Sequence, residues 1–410
     1  MAPCPAVATA RVNSFEFEQY RSFLTRARVR LGGKLTLLYG YNNAGKSALL
    51  RGLVLLAASC NQERAKVRRP LALEHPAARG ASFEALVTRG PYAPRLTLGL
   101  GWDDGARLTM ALLEVVKAGE ARGIPLVETI RAEGFDGSVL DAVWQPNDAM
   151  EWRYDFSEGA PDTIRFDGLV VATRYAALRS RLLAFGGSVH WLPPTRVPAL
   201  DRYPAHGPYD PEDPVPFLTR LGQDHPVYRD VQSALGRLAG VELSTGRDAR
   251  GAYAEVAPRG LLGRAVPLAS VGEGINQVLP VLALAAMARR GHLGAAPLVA
   301  IEQPELHLHP AAELGLVDVL LEASEGDARF VLETHSETLL LGLQLAVAEG
   351  RLCPDDVSVC WVERDEAGLS TVRDIPLRPD GAREGWPPGV FSEHLGQARK
   401  ILEAREKSRT

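Results

Sequence analysis

The sequence predicts an α/β protein whose core is a mostly parallel β-sheet, with an antiparallel β insertion and a helical subdomain. Three observations support this fold class. The strand-like stretch KLTLLY (34–39) runs into a glycine-containing turn and then into a run of good helix formers. Short strand-like pieces, separated by Gly, Asp and Pro, fill much of the region from 60 to 190. The α/β pattern resumes at about residue 265 and continues to about 348.

Composition excludes some classes of protein. The chain has 410 residues, of which 46% are hydrophobic and 23% charged. These values are typical of a globular protein and allow a large core with more than one subdomain. The formal net charge is −4, which gives no support for general polyanion binding. Any contact with nucleic acid would therefore be made by a local patch.

Cysteine usage and hydropathy indicate the compartment. The four cysteines are scattered, without the spacing of metal ligands or of a disulfide framework, which suits a reducing cytoplasm. The first residues lack the basic segment and apolar stretch of a secretory signal. The longest apolar stretches, such as VLPVLALAAMA (278–288), are shorter than the roughly 20 residues of a membrane span. We expect a cytoplasmic protein without a membrane partner.

Changes in composition and in hydrophobic pattern along the chain suggest five segments. We find no internal repeat and no sustained heptad pattern, so we expect no long coiled-coil arm. The segments are an N-terminal part of the core (1–59), a β-rich insertion (60–190), a proline-rich connector with a helical subdomain (191–261), a C-terminal part of the core (262–348), and C-terminal strands followed by a helix (349–410).

The strongest motif is GYNNAGKS, which matches G-x-x-x-x-G-K-[ST] and stands between a predicted strand and a predicted helix. In such a phosphate-binding loop the backbone N–H groups surround the phosphates, the lysine reaches the β and γ phosphates, and the serine hydroxyl binds magnesium. The following helix points its N-terminus at the anion. The predicted nucleotide-binding residues here are Gly40, Asn42, Asn43, Ala44, Gly45, Lys46 and Ser47.

A second motif, LVAIEQPELHLHP (298–310), ends an apolar strand with Glu302, where a hard-oxygen ligand for Mg²⁺ is expected. An ordinary solvated acid at a strand end is the alternative. No N-K-x-D motif for reading guanine occurs, which argues against a GTPase. Gln303 cannot accept a proton, although a glutamine can orient a water molecule. Glu305 is the nearest substitute base, or else a surface acid at the start of a helix.

Two further motifs complete the candidate site. The apolar strand in FVLETHSETLLLGL (330–343) leads to His335, which could contact the γ-phosphate or the attacking water, although a lone histidine is usually structural. In LASVGEGINQ, the residues Ser270, Gly272 and Glu273 stand just before a helix, where small residues free the backbone and a hydroxyl to bind an anion. A loop with a helix cap explains this motif nearly as well.

These four motifs, in this order, resemble the ABC-type ATPase heads of the SMC, RecF and OLD families. Ser270–Glu273 is similar to their signature loop, Glu302–Pro304 to the Walker B end, Leu308–Pro310 to the D-loop, and His335 to the switch histidine. The sequences of these motifs are most similar to those of bacterial OLD-like ATPases, many of which are encoded in antiphage or DNA-maintenance operons. The resemblance covers both ends of the chain and hardly touches 60–190.

The resemblance implies an Mg²⁺-dependent ATPase that forms a homodimer or higher oligomer around two ATP molecules. Ser270 and Gly272 of one chain would contact the γ-phosphate held by Lys46 of the other. OLD nucleases carry a TOPRIM domain that needs a D-x-D pair, and this chain has none after the THSE motif (334–337). We therefore expect no nuclease in this chain and slow hydrolysis that serves a separately encoded effector, such as a nuclease, in antiphage defence.

A RecF-like clamp that closes on duplex DNA is the alternative function. The stretches RSFLTRARVRLGGK (21–34) and ERAKVRR (63–69) carry several Arg and Lys that could follow a phosphate backbone. Solvated surface charge is an equally good interpretation of both stretches. A small-molecule kinase fits poorly, since such kinases lack the serine–glycine signature and the switch histidine.

Overall fold

The computed structural model describes residues 10–61, 69–88, 94–116, 123–135, 138–146, 153–157, 162–171, 175–204, 210, 213–260, 264–387, 390, 397, 399–401 and 404. In these residues the strands are β1 (Val12–Glu18), β2 (Ala27–Arg30), β3 (Leu35–Gly40), β4 (Arg95–Trp102), β5 (Arg107–Val115), β6 (Ile124–Phe135), β7 (Ser138–Trp144), β8 (Arg153–Phe156), β9 (Asp162–Thr163), β10 (Phe166–Asp167), β11 (Val170–Val171), β12 (Val189–Leu192), β13 (Val241–Asp248), β14 (Gly251–Pro258), β15 (Val266–Pro267), β16 (Leu298–Glu302), β17 (Arg329–Glu333), β18 (Val357–Arg364) and β19 (Ser370–Asp374). The α-helices are α1 (Lys46–Cys60), α2 (Phe83–Leu86), α3 (Ala176–Ser188), α4 (Val215–Leu218), α5 (Pro226–Ala239), α6 (Glu273–Arg289), α7 (Pro310–Ala323) and α8 (Glu337–Ala348).

The core is a six-stranded sheet in the order β12-β16-β17-β3-β18-β19. The first five strands are parallel, and β19 runs antiparallel to β18 at the edge. The strands β3, β16 and β17 are buried throughout, because helices cover both faces of a parallel sheet. The predicted α/β fold with a mostly parallel core sheet is confirmed.

A second sheet is antiparallel and has the order β2-β1-β4-β5-β6-β7-β8-β9 among the described strands. Its later strands come from the predicted β insertion. Its first two strands precede the phosphate-binding loop, so this sheet joins the predicted segments 1–59 and 60–190. Phe15 and Phe17 explain why β1 belongs to this sheet, because both rings are buried in one apolar cluster with side chains of α1 and of the insertion.

Helix α1 lies between the two sheets. Leu49, Leu50 and Leu53 belong to the same apolar cluster as Phe15 and Phe17. On the other face of the parallel sheet, a second apolar cluster contains side chains of β3, α5, α6, α7 and α8. The phosphate-binding loop at the start of α1 is thus anchored to both layers of the protein.

The connector and the C-terminal strands both extend the core sheet. The proline-rich connector predicted from residue 191 begins within β12, because Trp191 and Leu192 are apolar and pair beside β16. The two tail strands DVSVCWVE and STVRDIPL form β18 and β19 and extend the core sheet next to β3. The helix predicted after these strands, at the end of the segment 349–410, lies largely outside the described residues. Among the described helices, none combines the length and the hydropathy that crossing a membrane requires.

We expect Gly52→Ala to destabilise the fold. A Cβ atom at Gly52 would lie 2.7 Å from Phe17 Cε2. The Phe17 ring is buried and stacked on Tyr20 at 4.6 Å between centroids, so it cannot move aside easily. Overpacking of this kind costs about 1–3 kcal/mol. Thermal unfolding measures the effect. Gly187→Ala in α3 is the matched control, since nothing lies within 4 Å of its Cβ position. A Gly52→Ala protein as stable as this control would contradict the prediction.

Candidate nucleotide-binding site

The loop between β3 and α1 presents an open helix N-terminus. Gly45 precedes α1 with φ 112°, a left-handed conformation that favours glycine. It offers no side chain as a cap, and the first turn of α1 contains no acidic residue. The N–H groups of that turn therefore remain available to an anion, and the helix dipole favours negative charge at the same place.

Lys46 is the buried cation of this loop. Its side chain is 3% exposed, and Nζ donates hydrogen bonds to the carbonyl oxygens of Gly40 at 3.0 Å and Tyr41 at 2.9 Å. Burial lowers the pKa of the ammonium group, and the negative charge of Glu333 opposes that shift. The ammonium group is thus hydrogen-bonded to the same loop that is predicted to bind the phosphates.

A cavity of about 630 Å³ opens in front of the loop. Five cationic side chains and one carboxylate line it among the described residues, so it suits an anion of high charge. The predicted site residues that line it are Asn42, Asn43, Gly45, Lys46, Ser47, Gln303 and His335. Gly40, Ala44, Ser270, Gly272, Glu273, Glu302 and Glu305 are not among its lining residues.

The cavity also contains cations that sequence reasoning missed. Arg21 follows β1, Arg79 belongs to the insertion, and Arg364 ends β18. Arg51 lies four residues after Ser47 in α1, and this spacing puts both on one helix face. That spacing was a usable signal. Arg21 begins the basic stretch 21–34, which suggested only a contact with nucleic acid, and Arg79 and Arg364 stand in no recognisable motif.

Glu302 is a fully buried carboxylate at the carboxyl end of β16, with 1% exposure. Arg51 Nε donates to its Oε1 at 2.9 Å, and Arg51 Nη2 donates to its Oε2. Trp191 Nε1 also donates to Oε1, at 3.0 Å. Arg196 Nη2 donates to the backbone oxygen of Glu302 at 2.8 Å. Each carboxylate oxygen thus already accepts a hydrogen bond from a side chain.

Glu333 is the second carboxylate, which the sequence analysis did not select. It ends β17, and its Cα pairs in register with that of Glu302. Ser47 Oγ donates to Glu333 Oε1 at 2.6 Å, while the enclosed Oε2 has no hydrogen-bond partner among the described residues. Burial and the neighbouring charge of Glu302 raise the pKa of Glu333 to about 7. The stretch FVLE resembles LVAIE, so the rule that selected Glu302 would also have found Glu333.

Gln303 lies at the edge of the cavity with a left-handed backbone, φ 48°. Its N–H donates to the backbone oxygen of Glu333 at 2.7 Å, which fixes the residue between the two strand ends. A non-glycine residue in this conformation is strained, and such strain is common where a side chain must be aimed.

Glu305 and His335 are joined directly. The backbone N–H of His335 donates to Glu305 Oε1 at 2.8 Å, and Glu305 Oε2 has no partner within the described part of the chain. Burial raises the pKa of Glu305. Burial lowers the pKa of His335, and the charge of Lys46 lowers it further. His335 lines the cavity, whereas Glu305 does not, so Glu305 is linked to the cavity through its hydrogen bond with His335.

The predicted signature residues lie at the start of α6. Ser270, Gly272 and Glu273 are exposed. A Cβ atom at Gly274 would lie 2.8 Å from the carbonyl oxygen of His307, so α6 begins beside the segment that follows Gln303. These residues therefore face outward and remain candidates for contact with a second molecule.

The residues present fit a bound Mg²⁺. Ser47 offers a hydroxyl, and the enclosed Glu333 Oε2 is an unpartnered carboxylate oxygen beside it. Hard oxygen donors of this kind are the ligands that Mg²⁺ prefers.

We expect Glu302→Gln and Glu333→Gln to affect stability differently. Glu302→Gln leaves the largely buried Arg51 without its carboxylate partner, which costs about 3–5 kcal/mol. Glu333→Gln removes a carboxylate whose ionised form is disfavoured in the folded chain. Melting temperatures without nucleotide and metal measure both effects. Equal losses in the two variants would contradict this assignment.

The raised pKa of Glu333 predicts how the stability of the Glu333→Gln variant depends on pH. The pKa of Glu333 is raised from 4.5 to about 7, so the folded chain holds this proton more tightly than the unfolded chain. The stability linked to the proton is therefore lost as pH rises between these values. Gln cannot ionise, so the melting temperature of Glu333→Gln relative to the unmodified protein should rise between about pH 5 and about pH 8. A difference independent of pH would contradict the raised pKa.

Comparison with known proteins gives a partial family match and a fold. The AAA_21 family model, described as "AAA domain, putative AbiEii toxin, Type IV TA system", matches residues 201–342. This range contains the signature-like loop, Glu302 and His335, and it excludes the phosphate-binding loop. No curated protein sequence matches the chain.

Solved SMC heads are similar in structure. A crystal structure of the Smc head bound to the C-terminal winged-helix domain of ScpA has a TM-score of 0.51 at 12% identity and covers 89% of this chain and 98% of that one. The Pyrococcus furiosus Smc head with an extended coiled coil, bound to the C-terminal domain of ScpA, has a TM-score of 0.50 at 11% identity and covers 97% and 100%. The phosphate-binding loop, the strand order and these likenesses identify the chain as a P-loop protein with the fold of an ABC-type ATPase head.

Proposed function

We propose that the chain is an Mg²⁺-dependent ATPase, gated by dimerisation, that converts ATP to ADP and phosphate slowly. The observation that carries this proposal is the cavity at the open N-terminus of α1, where five cations meet one carboxylate. An adenine nucleotide with a triphosphate brings the negative charge that this lining requires.

Individual residues have distinct roles in this proposal. Lys46 leaves the loop carbonyls and bridges the β and γ phosphates, and Ser47 provides a hydroxyl to the metal. Mg²⁺, when bound, neutralises charge on the phosphates. Gln303 orients the attacking water but cannot take its proton, which keeps hydrolysis slow. His335 contacts the γ-phosphate and is held by Glu305.

The second half of each site comes from another copy of the chain. Ser270, Gly272 and Glu273 are exposed and do not line the cavity of their own chain, which supports a contact in trans. Exposed groups at the N-terminus of α6 suit the γ-phosphate held by a partner's Lys46.

We assign the ATPase to a sensor or motor that controls a separately encoded effector in antiphage defence. The family description names a toxin of a type IV system, and both SMC heads described above are bound to a domain of another protein, ScpA. These facts support a head that acts through a partner, while the defence role rests on family analogy.

A DNA clamp is the weaker alternative. In the basic stretch 21–34, Arg26 pairs with Glu16, Arg30 with Asp374, and Lys34 with Asp356. These pairs reduce the positive charge that phosphates would meet. The second stretch, 63–69, lies outside the described residues except at its last position. Duplex binding that ATP stimulates and that falls steeply with salt would favour the clamp.

Steady-state phosphate release tests the enzyme. We expect slow turnover with ATP and Mg²⁺, and none with Lys46→Ala, because that variant lacks the cation that reaches the phosphates. We expect Gln303→Glu to raise the rate, by roughly 10²–10⁴-fold if it restores a general base. Unchanged turnover in Gln303→Glu would mean that residue 303 does not limit the rate.

Mixing two inactive variants tests the dimer. In a heterodimer of Lys46→Ala and Ser270→Arg, one site combines an intact Lys46 with an intact Ser270. An equimolar mixture that re-pairs at random contains about half heterodimers, so we expect it to recover about a quarter of the unmodified activity, whereas each variant alone stays inactive. Activity that does not recover on mixing would contradict a site shared between chains. Ala269→Arg, at an exposed neighbouring position, is the control for added charge.

A further inference from the structure

Two buried carboxylates end neighbouring parallel strands beside the phosphate-binding loop, and they differ in what they already bind. Glu302 is the acid that the Walker B resemblance assigns to the metal. Glu333 has no role in that resemblance. Their Cα atoms pair in register, so both carboxylates lie at the same edge of the sheet.

Glu302 has little capacity left for a metal. Arg51 contacts both of its oxygens, and Trp191 adds a hydrogen bond to Oε1. To reach a metal, this carboxylate must give up a guanidinium that is itself only 12% exposed. Charge-assisted, two-pronged pairs of this kind are the strongest hydrogen bonds that a carboxylate makes. Glu302 is also absent from the cavity lining.

Glu333 has the opposite properties. It lines the cavity, and Ser47 Oγ lies 2.6 Å from its Oε1. Its second oxygen is enclosed and has no partner among the described residues. A buried carboxylate oxygen without a donor is costly, so its presence calls for a ligand. A divalent cation shared with the Ser47 hydroxyl supplies one.

We infer that Glu333, rather than Glu302, is the carboxylate that binds Mg²⁺ together with Ser47. This inference rests on the proposed function, since it concerns the metal of the same nucleotide site. Glu302 then becomes a positioning residue. It fixes Arg51 at the cavity wall, and its backbone oxygen holds Arg196, whose Nη2 also approaches the Gln303 oxygen at 3.5 Å.

Manganese binding tests the inference without relying on turnover. Mn²⁺ replaces Mg²⁺ and is followed by electron paramagnetic resonance in the presence of ATP. ATP binding is measured separately in EDTA. We expect Glu333→Gln to bind ATP in EDTA as the unmodified protein does, while its Mn²⁺ affinity in the ternary complex falls by more than about tenfold. We expect Glu302→Gln to lose thermal stability and to keep its Mn²⁺ affinity.

A second variant tests the same contact by metal preference. In Glu333→Cys a thiolate replaces a hard oxygen, so binding should shift from Mg²⁺ towards the softer Cd²⁺. Glu302→Cys is the matched control and should show no such shift. An unchanged Mn²⁺ affinity in Glu333→Gln, or a shift towards Cd²⁺ in Glu302→Cys alone, would overturn the inference. Failure of the unmodified protein to bind ATP in EDTA would instead refute the proposed function.

Discussion

The buried pair between Arg51 and Glu302 connects the parts of this molecule that must stay in register. Arg51 belongs to α1, which begins with Lys46 and Ser47, and Glu302 ends β16. Trp191 ties the same carboxylate to β12, and Arg196 ties its backbone to the connector. A buried ion pair of this kind is weak evidence for net stability but a strong constraint on geometry, because either partner alone is unfavourable.

Because of this constraint, the carboxylate that the motif assigns to the metal differs from the carboxylate that has an oxygen open to a ligand. Glu302 at the end of β16 is expected to bind the metal. Its two oxygens already accept hydrogen bonds from Arg51 of α1 and Trp191 of β12. The neighbouring Glu333 keeps an oxygen free of donors and contacts Ser47. Gln303 lies between the two strand ends with a left-handed backbone. The strand edge therefore contains one carboxylate whose oxygens accept hydrogen bonds, one with an oxygen free of donors among the described residues, and an amide where a base would be expected.

The fold and the gathering of seven predicted residues at one cavity followed from the sequence because both depend on local rules. A glycine loop between a strand and a helix predicted the phosphate-binding loop, and apolar strands ending in polar residues predicted Glu302 and His335 at one sheet edge. The partner of Arg51 could not be predicted in this way, because it depends on packing among three elements distant in sequence. Arg79 escaped notice because the insertion carries no motif, and the ion pairs of 21–34 depend on acids as remote as Asp374.

The position of α1 between the two sheets has a consequence for how this architecture could have arisen. Leu49 and Leu53 of α1 are fully buried in a cluster that also contains side chains of β1 and of the insertion. Deleting the insertion would expose part of this cluster to water and would also remove β4, the neighbour of β1. The insertion is therefore not a detachable module added to a self-sufficient P-loop core. Any shorter ancestor would have needed a different cover for this helix, so trimming the chain to its motifs should yield an aggregating fragment rather than a minimal folded core.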